Sequence, residues 1–318
     1  MEEKQRLRHE SPSGIPERSK TADKQLTGRR LIQQAAARIR DHISRQPPVQ
    51  RHFSFMPTLL TRVSPFHFQV RGKVADWPLV RLDTGDSSPW GRMRVVGELL
   101  VIFDETVLFC LLSVMAHQNS EVFETTLAGI CRLAGIEPDT RQCNAVWRSI
   151  QRLAGTRIDL ELTSGKGKKR KVINQMTGSI LSFADMQHDK HIVRVIINPY
   201  FIELYAESLV TNIDLKFRSQ LKNDLSKALY RFYQGQYAAE ISTDLLRLAR
   251  AVNLDSRQPS DRLRTKMRTC LKELQAKGYL ADFQIDARDR VTITKAKHTA
   301  IDWEGQILGG TRTPFLSD

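Results

Sequence analysis

Ile241 to Thr294, ISTDLLRLARAVNLDSRQPSDRLRTKMRTCLKELQAKGYLADFQIDARDRVTIT, carries two helical periods followed by an alternating hairpin. From Ser260 onward, Leu263, Met267, Cys270, Leu271 and Leu274 recur at three- and four-residue spacing, which places them on one face of an α-helix. Asp261, Thr265, Arg268 and Lys272 fall on the opposite face, flanked by Arg257, Arg262 and Arg264. Upstream, Leu245, Leu246, Leu248, Ala249 and Val252 form a bracing helix, with Asn253-Leu254-Asp255 as the turn between the two. Ser242 or Thr243 is the expected cap of that first helix, because a hydroxyl there accepts from its free N–H groups. Downstream, Gly278 ends the basic helix and Tyr279 to Ile285 alternates as a strand. Asp286 to Arg290 then turns the chain back into Val291 to Thr294.

A helix, a tight turn, a basic helix and a hairpin, in that order, make a winged helix. Its apolar back rests on a small core while its cationic front enters a major groove of DNA. Arg264, Thr265 and Arg268 are then the expected base-edge contacts. A guanidinium that bridges two guanine acceptors discriminates by about 1–3 kcal/mol. Arg257, Arg262, Lys266 and Lys272 are better placed for the phosphate backbone, as are Arg288 and Arg290 at the hairpin tip. Ser260 and Asp261, at the helix start, are divided between DNA contact and capping. A basic helix face by itself is more often merely solvated. Here the charge sits on the second helix of a helix-turn-helix followed by a wing, and the whole chain leans the same way.

With 49 Lys+Arg against 35 Asp+Glu, the 318-residue chain carries a formal net charge of +14, which favours a polyanionic partner. The length suits two domains of common size plus tails. The expected fold is α+β: two tandem winged-helix domains, helix-rich with small antiparallel β-wings, after a flexible N-terminal tail. Residues 1–50 read as a basic, largely disordered tail and 51–206 as the N-terminal winged-helix domain. Residues 207–300 read as the C-terminal winged-helix domain and 301–318 as a C-terminal tail. Cys110, Cys131, Cys143 and Cys270 form no C-x-x-C pair, and Cys110, Cys143 and Cys270 lie in apolar helical patterns, so reduced thiols in a cytoplasmic protein are expected. No apolar run reaches membrane-spanning length, and MEEKQRLRHE lacks a hydrophobic signal segment.

Along the chain, Arg30 to Ile43 reads as one helix ended by Pro47-Pro48, and Arg51 to Arg94 gives no secure pattern. Val95 to Phe103 reads as a strand, followed by a helix from Asp104 to His117 with Val107, Leu108, Leu111, Leu112 and Met115 on its buried side. The logic of the C-terminal unit then appears a first time. Leu127, Ile130, Leu133 and Ile136 match Leu245, Leu248, Ala251 and Leu254, while Val146, Ile150 and Leu153 match Met267, Leu271 and Leu274. The match implies an internal duplication. In this copy Thr125 caps one helix, Gly135 makes the turn, and Thr140 to Leu153 is the second helix, with Arg141, Arg148 and Arg152 facing outward. Arg157 to Leu162 alternates as a strand and Val172 onward returns. Between them GKGKKRK, with Lys166, Lys168, Lys169, Arg170 and Lys171, forms a basic loop read as the wing of this domain, although such a run is as often a solvated hairpin tip. Ile180 to Phe183 and Ile192 to Ile197 are further strands. Pro199 to Ala206 is a short helix, Glu207 to Asp214 a connection, and Phe217 to Tyr233 the opening helix of the second unit.

In IVRVIINPYFIELYAE, LSKALYRFYQGQ and STDLLRLARAVNLDSRQPSDRLRTKMRTCLKELQAKGYL, the chain resembles the iteron-binding plasmid replication initiators of bacteria, the Rep and TrfA type, built from two tandem winged-helix domains. The likeness is clearest over residues 183–285 and looser over residues 95–197. It implies a binder of directly repeated origin sites in double-stranded DNA, with the C-terminal domain reading part of each repeat. It also implies an N-terminal domain that dimerises and touches the remainder, so that a homodimer stands in equilibrium with the monomer. By the same resemblance, monomers help to open an adjacent A+T-rich segment and recruit the host initiator and replicative helicase.

Catalytic chemistry finds no support in the residues. No G-x-x-x-x-G-K-[ST] occurs, since Gly165 to Lys168 lacks its spacing and its hydroxyl residue. There is no H-E-x-x-H, and His188 and His191, near Asp185 and Asp189, have no recognisable ligand spacing. Tyr233 and Tyr237 are spaced like the tyrosines of rolling-circle nickases. However, His67 stands alone between Phe66 and Phe68, so the His-hydrophobe-His metal motif is missing and Tyr233 is more simply a core or interface aromatic. A non-enzyme with no cofactor, no metal and no membrane partner is expected. The alternative is a winged-helix transcriptional repressor, for which a single inverted repeat beside the gene would speak. A nonspecific DNA-coating protein would show no sequence preference.

Overall fold

The computed structural model describes residues 53–57, 60–61, 64–67, 80–81, 90–118, 122–164, 171–187, 192–198, 201, 210–236 and 238–296. Three strands, β1 (Phe53–Pro57), β2 (Val80–Arg81) and β3 (Trp90–Val96), precede helix α1 (Ile102–Gln118), β4 (Val122–Thr126), α2 (Leu127–Leu133) and α3 (Thr140–Gly155). Four strands follow, β5 (Arg157–Ser164), β6 (Lys171–Ser179), β7 (Leu181–Gln187) and β8 (Ile192–Ile197), and then β9 (Val210–Asp214), α4 (Leu215–Ser219) and α5 (Asp224–Gln234). The chain closes with β10 (Glu240–Asp244), α6 (Leu245–Ala251), α7 (Ser260–Ala276), β11 (Leu280–Ile285) and β12 (Arg290–Lys295).

The duplication is plain in this order. From α1 to β8, and again from α5 to β12, the chain runs helix, strand, helix, helix, hairpin. Both copies close an antiparallel three-stranded sheet of the same pattern, β4-β8-β7 and β10-β12-β11. The registers coincide too: Val122 faces Ile196 as Glu240 faces Thr294, and the last strand of each sheet has a register shift at one place, between Leu181 and Phe183 and between Leu280 and Asp282. The first copy carries an extra hairpin, β5–β6, which joins β3 and β2 in a separate sheet of order β2-β3-β5-β6. The two units are winged helices of mixed α and β structure, as the sequence pattern predicts.

Leu245, Leu248, Val252 and Leu254 of the first helix and its turn are buried against Leu263, Met267, Cys270, Leu271 and Leu274 of α7. Each such side chain contributes about 1.5–3 kcal/mol when fully removed from water. Leu246 differs from the expectation, being 36% exposed, because it lies off the face that α6 turns to the core. Gly278, at φ +78, ends α7 as expected. Its N–H donates to Gln275 O at 2.9 Å, and that of Tyr279 donates to Leu274 O at 3.0 Å.

Several local expectations are corrected. The strand expected at Val95 to Phe103 runs from Trp90 to Val96, because Gly97 at φ +119 breaks it and the Asp104 carboxylate accepts from Val101 N at 2.8 Å at the start of α1. Helix α1 buries Phe109 and Cys110 as well as the predicted face, since β1, α3 and α5 all pack against it. Caps sit one residue later than read. Thr126 rather than Thr125 accepts from Gly129 N, and Asp244 rather than Ser242 or Thr243 accepts from Leu246 N and Arg247 N. Ser242 and Thr243 are strand residues of β10.

The segment read as a connection, Glu207 to Asp214, contains β9, paired along its whole length with β1 from Phe53↔Asp214 to Pro57↔Val210. The single helix expected from Phe217 to Tyr233 is two. α4 stops at Ser219, and α5 restarts where Glu273 of α7 accepts from Lys222 N (2.6 Å), Asn223 Nδ2 (2.7 Å) and Ser226 Oγ (2.6 Å). A carboxylate from another element thus caps a helix whose own N-cap residue, Asn223, makes no side-chain cap bond.

Between the units lies a buried ionic cluster. Glu105 of α1 is fully buried and receives Arg218 Nη2 at 2.5 Å and Arg231 Nη1, both arginines also being buried. Arg218 Nη1 donates to Lys227 O at 2.9 Å and its guanidinium lies over the Phe109 ring. Among the described residues no helix is long and apolar enough to cross a membrane. The helix expected at Arg30 to Ile43, both tails, and Pro199 to Ala206 apart from Phe201 lie outside the described residues.

Candidate nucleic-acid interface

Helix α7 presents to solvent Arg262, Thr265, Arg268 and Lys272 of the face the sequence assigns to DNA, with Thr269, not singled out from sequence, exposed beside them and opposite the buried leucines. Thr265 Oγ1 donates back to Asp261 O at 2.8 Å and Thr269 Oγ1 to Thr265 O at 3.0 Å, so both hydroxyl oxygens keep acceptor capacity toward solvent. Arg268, expected to meet base edges, is exposed on this face. The N-cap of α7 is Pro259, which makes no side-chain cap bond, so Ser260 and Asp261 are the first helical residues and not its caps.

Arg264 is placed differently from the expectation. Its Nε donates to Asp289 Oδ1 and its Nη2 to Ala287 O at 3.1 Å, which ties the recognition helix to the turn of the wing. Asp289 sits at φ +62 and its carbonyl accepts from Leu245 N at 2.8 Å. The Arg264 guanidinium holds the Asp289 carboxyl below the ordinary carboxylate range. One turn therefore locks against both helices, and Arg264 is occupied there instead of facing base edges. Asp286 shapes the same turn, accepting from Arg288 N and Arg290 N at 2.8 Å each, and leaves the Arg288 and Arg290 side chains exposed. Arg257 is exposed but bonded to Asp255 (Nε–Oδ1 3.0 Å), and Lys266 Nζ donates to Gln258 Oε1 at 2.7 Å.

Two cations escaped the sequence reading. Arg247 and Arg250 of α6 are exposed, on the side away from Leu245, Leu248 and Ala249. Their three-residue spacing opposite an apolar stripe was the available signal. In the first unit Arg141 and Arg148 of α3 are exposed as expected. Arg152 is not outward: its side chain is 19% exposed and bonded to Asp104 at 2.6 Å and Glu98 at 3.7 Å, so it fixes α3 to the start of α1. Lys166, Lys168, Lys169 and Arg170 lie outside the described residues, and Lys171 opens β6. The basic loop therefore belongs to the extra hairpin β5–β6, whereas the element equivalent to the C-terminal wing is β7–β8.

Of the two places expected for Tyr233, core or interface, it occupies the core. His67 is buried and its pKa is lowered to about 4, chiefly by desolvation and also by the charge of Arg231.

Residues 98–234 match the family described as Initiator Replication protein, WH1. Two solved structures resemble the chain in fold. One is of domains 2 and 3 of RctB as selenomethionine derivatives, with TM-score 0.52 and 13% identity over 75% of this chain and 98% of that one. The other is of RctB domains 2–3, residues 155–483, with TM-score 0.50 and 11% identity over 77% of this chain and 99% of that one. No curated protein matches the sequence.

Proposed function

We propose, from the match of residues 98–234 to the family described as Initiator Replication protein, WH1, that the chain is a replication initiator that binds directly repeated sites, iterons, in the duplex DNA of a plasmid origin. Helix α7 enters a major groove, with Arg268 and Thr265 toward base edges and Arg262 and Lys272 toward phosphates. Arg288 and Arg290 reach the flanking backbone from the wing, and Arg247 and Arg250 do so from α6. Arg141 and Arg148 on α3 give the first unit a second, smaller contact. The observation that carries this reading is the exposed cationic face of α7, backed by five buried apolar residues, on the second helix of a helix-turn-helix.

Most of the affinity comes from counterion release at phosphates, and so falls as salt rises. The protein works by binding and not by catalysis, in the bacterial cytoplasm on plasmid DNA. It exchanges between homodimer and monomer, promotes origin opening, and recruits the host initiator and replicative helicase. A nuclease footprint of the full-length chain on DNA flanking its gene tests this. Protection recurring in direct repeats beside an A+T-rich tract is the expected result. A single inverted site, or protection of random sequence alone, refutes it.

A further inference from the structure

Both helix-turn-helix turns cross the left-handed backbone region at one equivalent point, Gly135 at φ +71 in the first and Asn253 at φ +57 in the second. The hydrogen bonds around them coincide. Gly135 N donates to Arg132 O and Ile136 N to Cys131 O, just as Asn253 N donates to Arg250 O and Leu254 N to Ala249 O. Glycine takes this conformation freely, most side chains there cost about 1–2 kcal/mol, and asparagine is among the few that visit it. The first unit uses glycine and has room for nothing else, since a Cβ would lie 2.5 Å from Ser219 Cβ. The second unit carries a side chain at the strained point and uses it. Asn253 Nδ2 donates to Ser64 O at 2.6 Å and to Phe66 O at 2.8 Å.

Ser64 and Ser219 belong to one joint. Beyond Ser64, His67 N donates to Leu100 O at 2.9 Å and Ile102 N donates to His67 O at 3.0 Å, fastening this segment to the start of α1. Before Ser64, Thr61 O accepts from Arg231 Nε at 3.3 Å, and a Cβ on Gly235 would fall 1.8 Å from Thr61 Oγ1, so Thr61 lies tight on the end of α5. Ser219 ends α4, whose Arg218 shares Glu105 with Arg231. Each recognition helix is thus gripped through its own turn by the same joint.

We propose that Asn253 is a positioning residue that sets the spacing at which the two recognition helices meet DNA. The inference rests on the reading that both winged-helix units contact the duplex. One inserted base pair shifts two contact sites by about 3.4 Å and rotates them by about 35°. A rigid pair of readers can follow neither change, and a loosened pair follows both.

Asn253→Gly keeps the turn conformation and removes both donors. Asn253→Asp keeps the shape and sets a carboxylate against two carbonyl oxygens. The probes are duplexes enriched by the full-length wild-type chain from a random-sequence pool, then rebuilt with one or two base pairs inserted between their two protected segments, and each protected segment alone. Losing the second, intramolecular contact forfeits on the order of 10²-fold or more, so a single insertion weakens the wild type by that factor. The Asn253→Gly chain is expected to lose less than about tenfold on insertion, with Asn253→Asp equal to or beyond it, while each separate segment is bound within about twofold of wild type. A Gly variant that keeps the wild-type penalty overturns the inference alone. So does one that loses binding to the C-terminal unit's segment in isolation, because Asn253 then holds that unit's fold and not its placement. A wild type that protects one continuous segment, or ignores insertions, overturns the two-reader reading and the inference with it.

Discussion

Replacing Glu105 by Gln removes the one anion that two buried arginines share. Arg218 and Arg231 have side chains 1% and 0% exposed, and Arg218 Nε and Arg231 Nη2 already find no hydrogen-bond partner among the described residues. The cluster holds two positive charges against one negative, so the two directions of disruption are unequal. Taking away the carboxylate strands two cations in a low-dielectric interior, for which about 3–5 kcal/mol is the expected loss. Taking away Arg231, as Arg231→Met, leaves Glu105 and Arg218 as a neutral pair and forfeits chiefly the bond to Thr61 O and some packing, about 1–2 kcal/mol. Thermal unfolding of the full-length chain, followed by circular dichroism, measures both. At about 2–4 °C per kcal/mol, the Glu105→Gln melting temperature should fall by about 6–20 °C and that of Arg231→Met by about 2–8 °C. Equal losses, or a greater loss for Arg231→Met, would refute the argument that charge balance governs the cluster.

Other perturbations read single features. Arg268→Ala should relax preference at one base position by about 1–3 kcal/mol, whereas Lys272→Ala should weaken all sequences alike and reduce the salt slope by about one, as competition binding at several salt concentrations will show. Burial opposes ionisation of Glu273, yet hydrogen bonds from Ser226, Lys222 and Asn223 together outweigh it and leave its pKa below the ordinary value. The stability it supplies is therefore present above the unfolded-state pKa and lost as pH falls through the folded one. Glu273→Ala should cost about 1–2 kcal/mol at neutral pH and little in acid, by urea titration across pH. Lys295 is buried, with its Nζ donating to Gln236 O at 2.6 Å, and its pKa is lowered to about 7 by desolvation. Between that value and the ordinary lysine range the unfolded chain binds more protons, so stability should rise with pH there, and Lys295→Met should flatten the rise.

How much of this was legible in the sequence depended on whether a feature was local. Leu263 to Leu274 on α7, the turn glycine Gly135 and the stop at Gly278 follow from helix period and backbone preference, which neighbours in sequence suffice to define. The duplication was legible because both copies bury equivalent positions. What escaped reading depends on partners remote in sequence. Strand β9 looks like a connection until β1 pairs with it, and α4 and α5 look continuous until Glu273 arrives from α7 to cap the second. In the candidate interface the exposure of Arg268 was readable from its helix face. The diversion of Arg264 to Asp289 and of Arg152 to Asp104 required knowing which carboxylates the fold brings near. Positive charge at the right phase marks a candidate for DNA, and tertiary ion pairs then remove some of the candidates.

If the exposed face of α7 lies in a major groove, guanine N7, an acceptor found in that groove, reports on it directly. Dimethyl sulfate protection of a duplex enriched by the full-length chain should show guanines shielded at N7 in each repeat, and Arg268→Ala should restore reactivity at one of them while neighbouring protection persists. N7 reactivity unchanged by the wild-type protein on a duplex it demonstrably binds would place α7 outside the major groove.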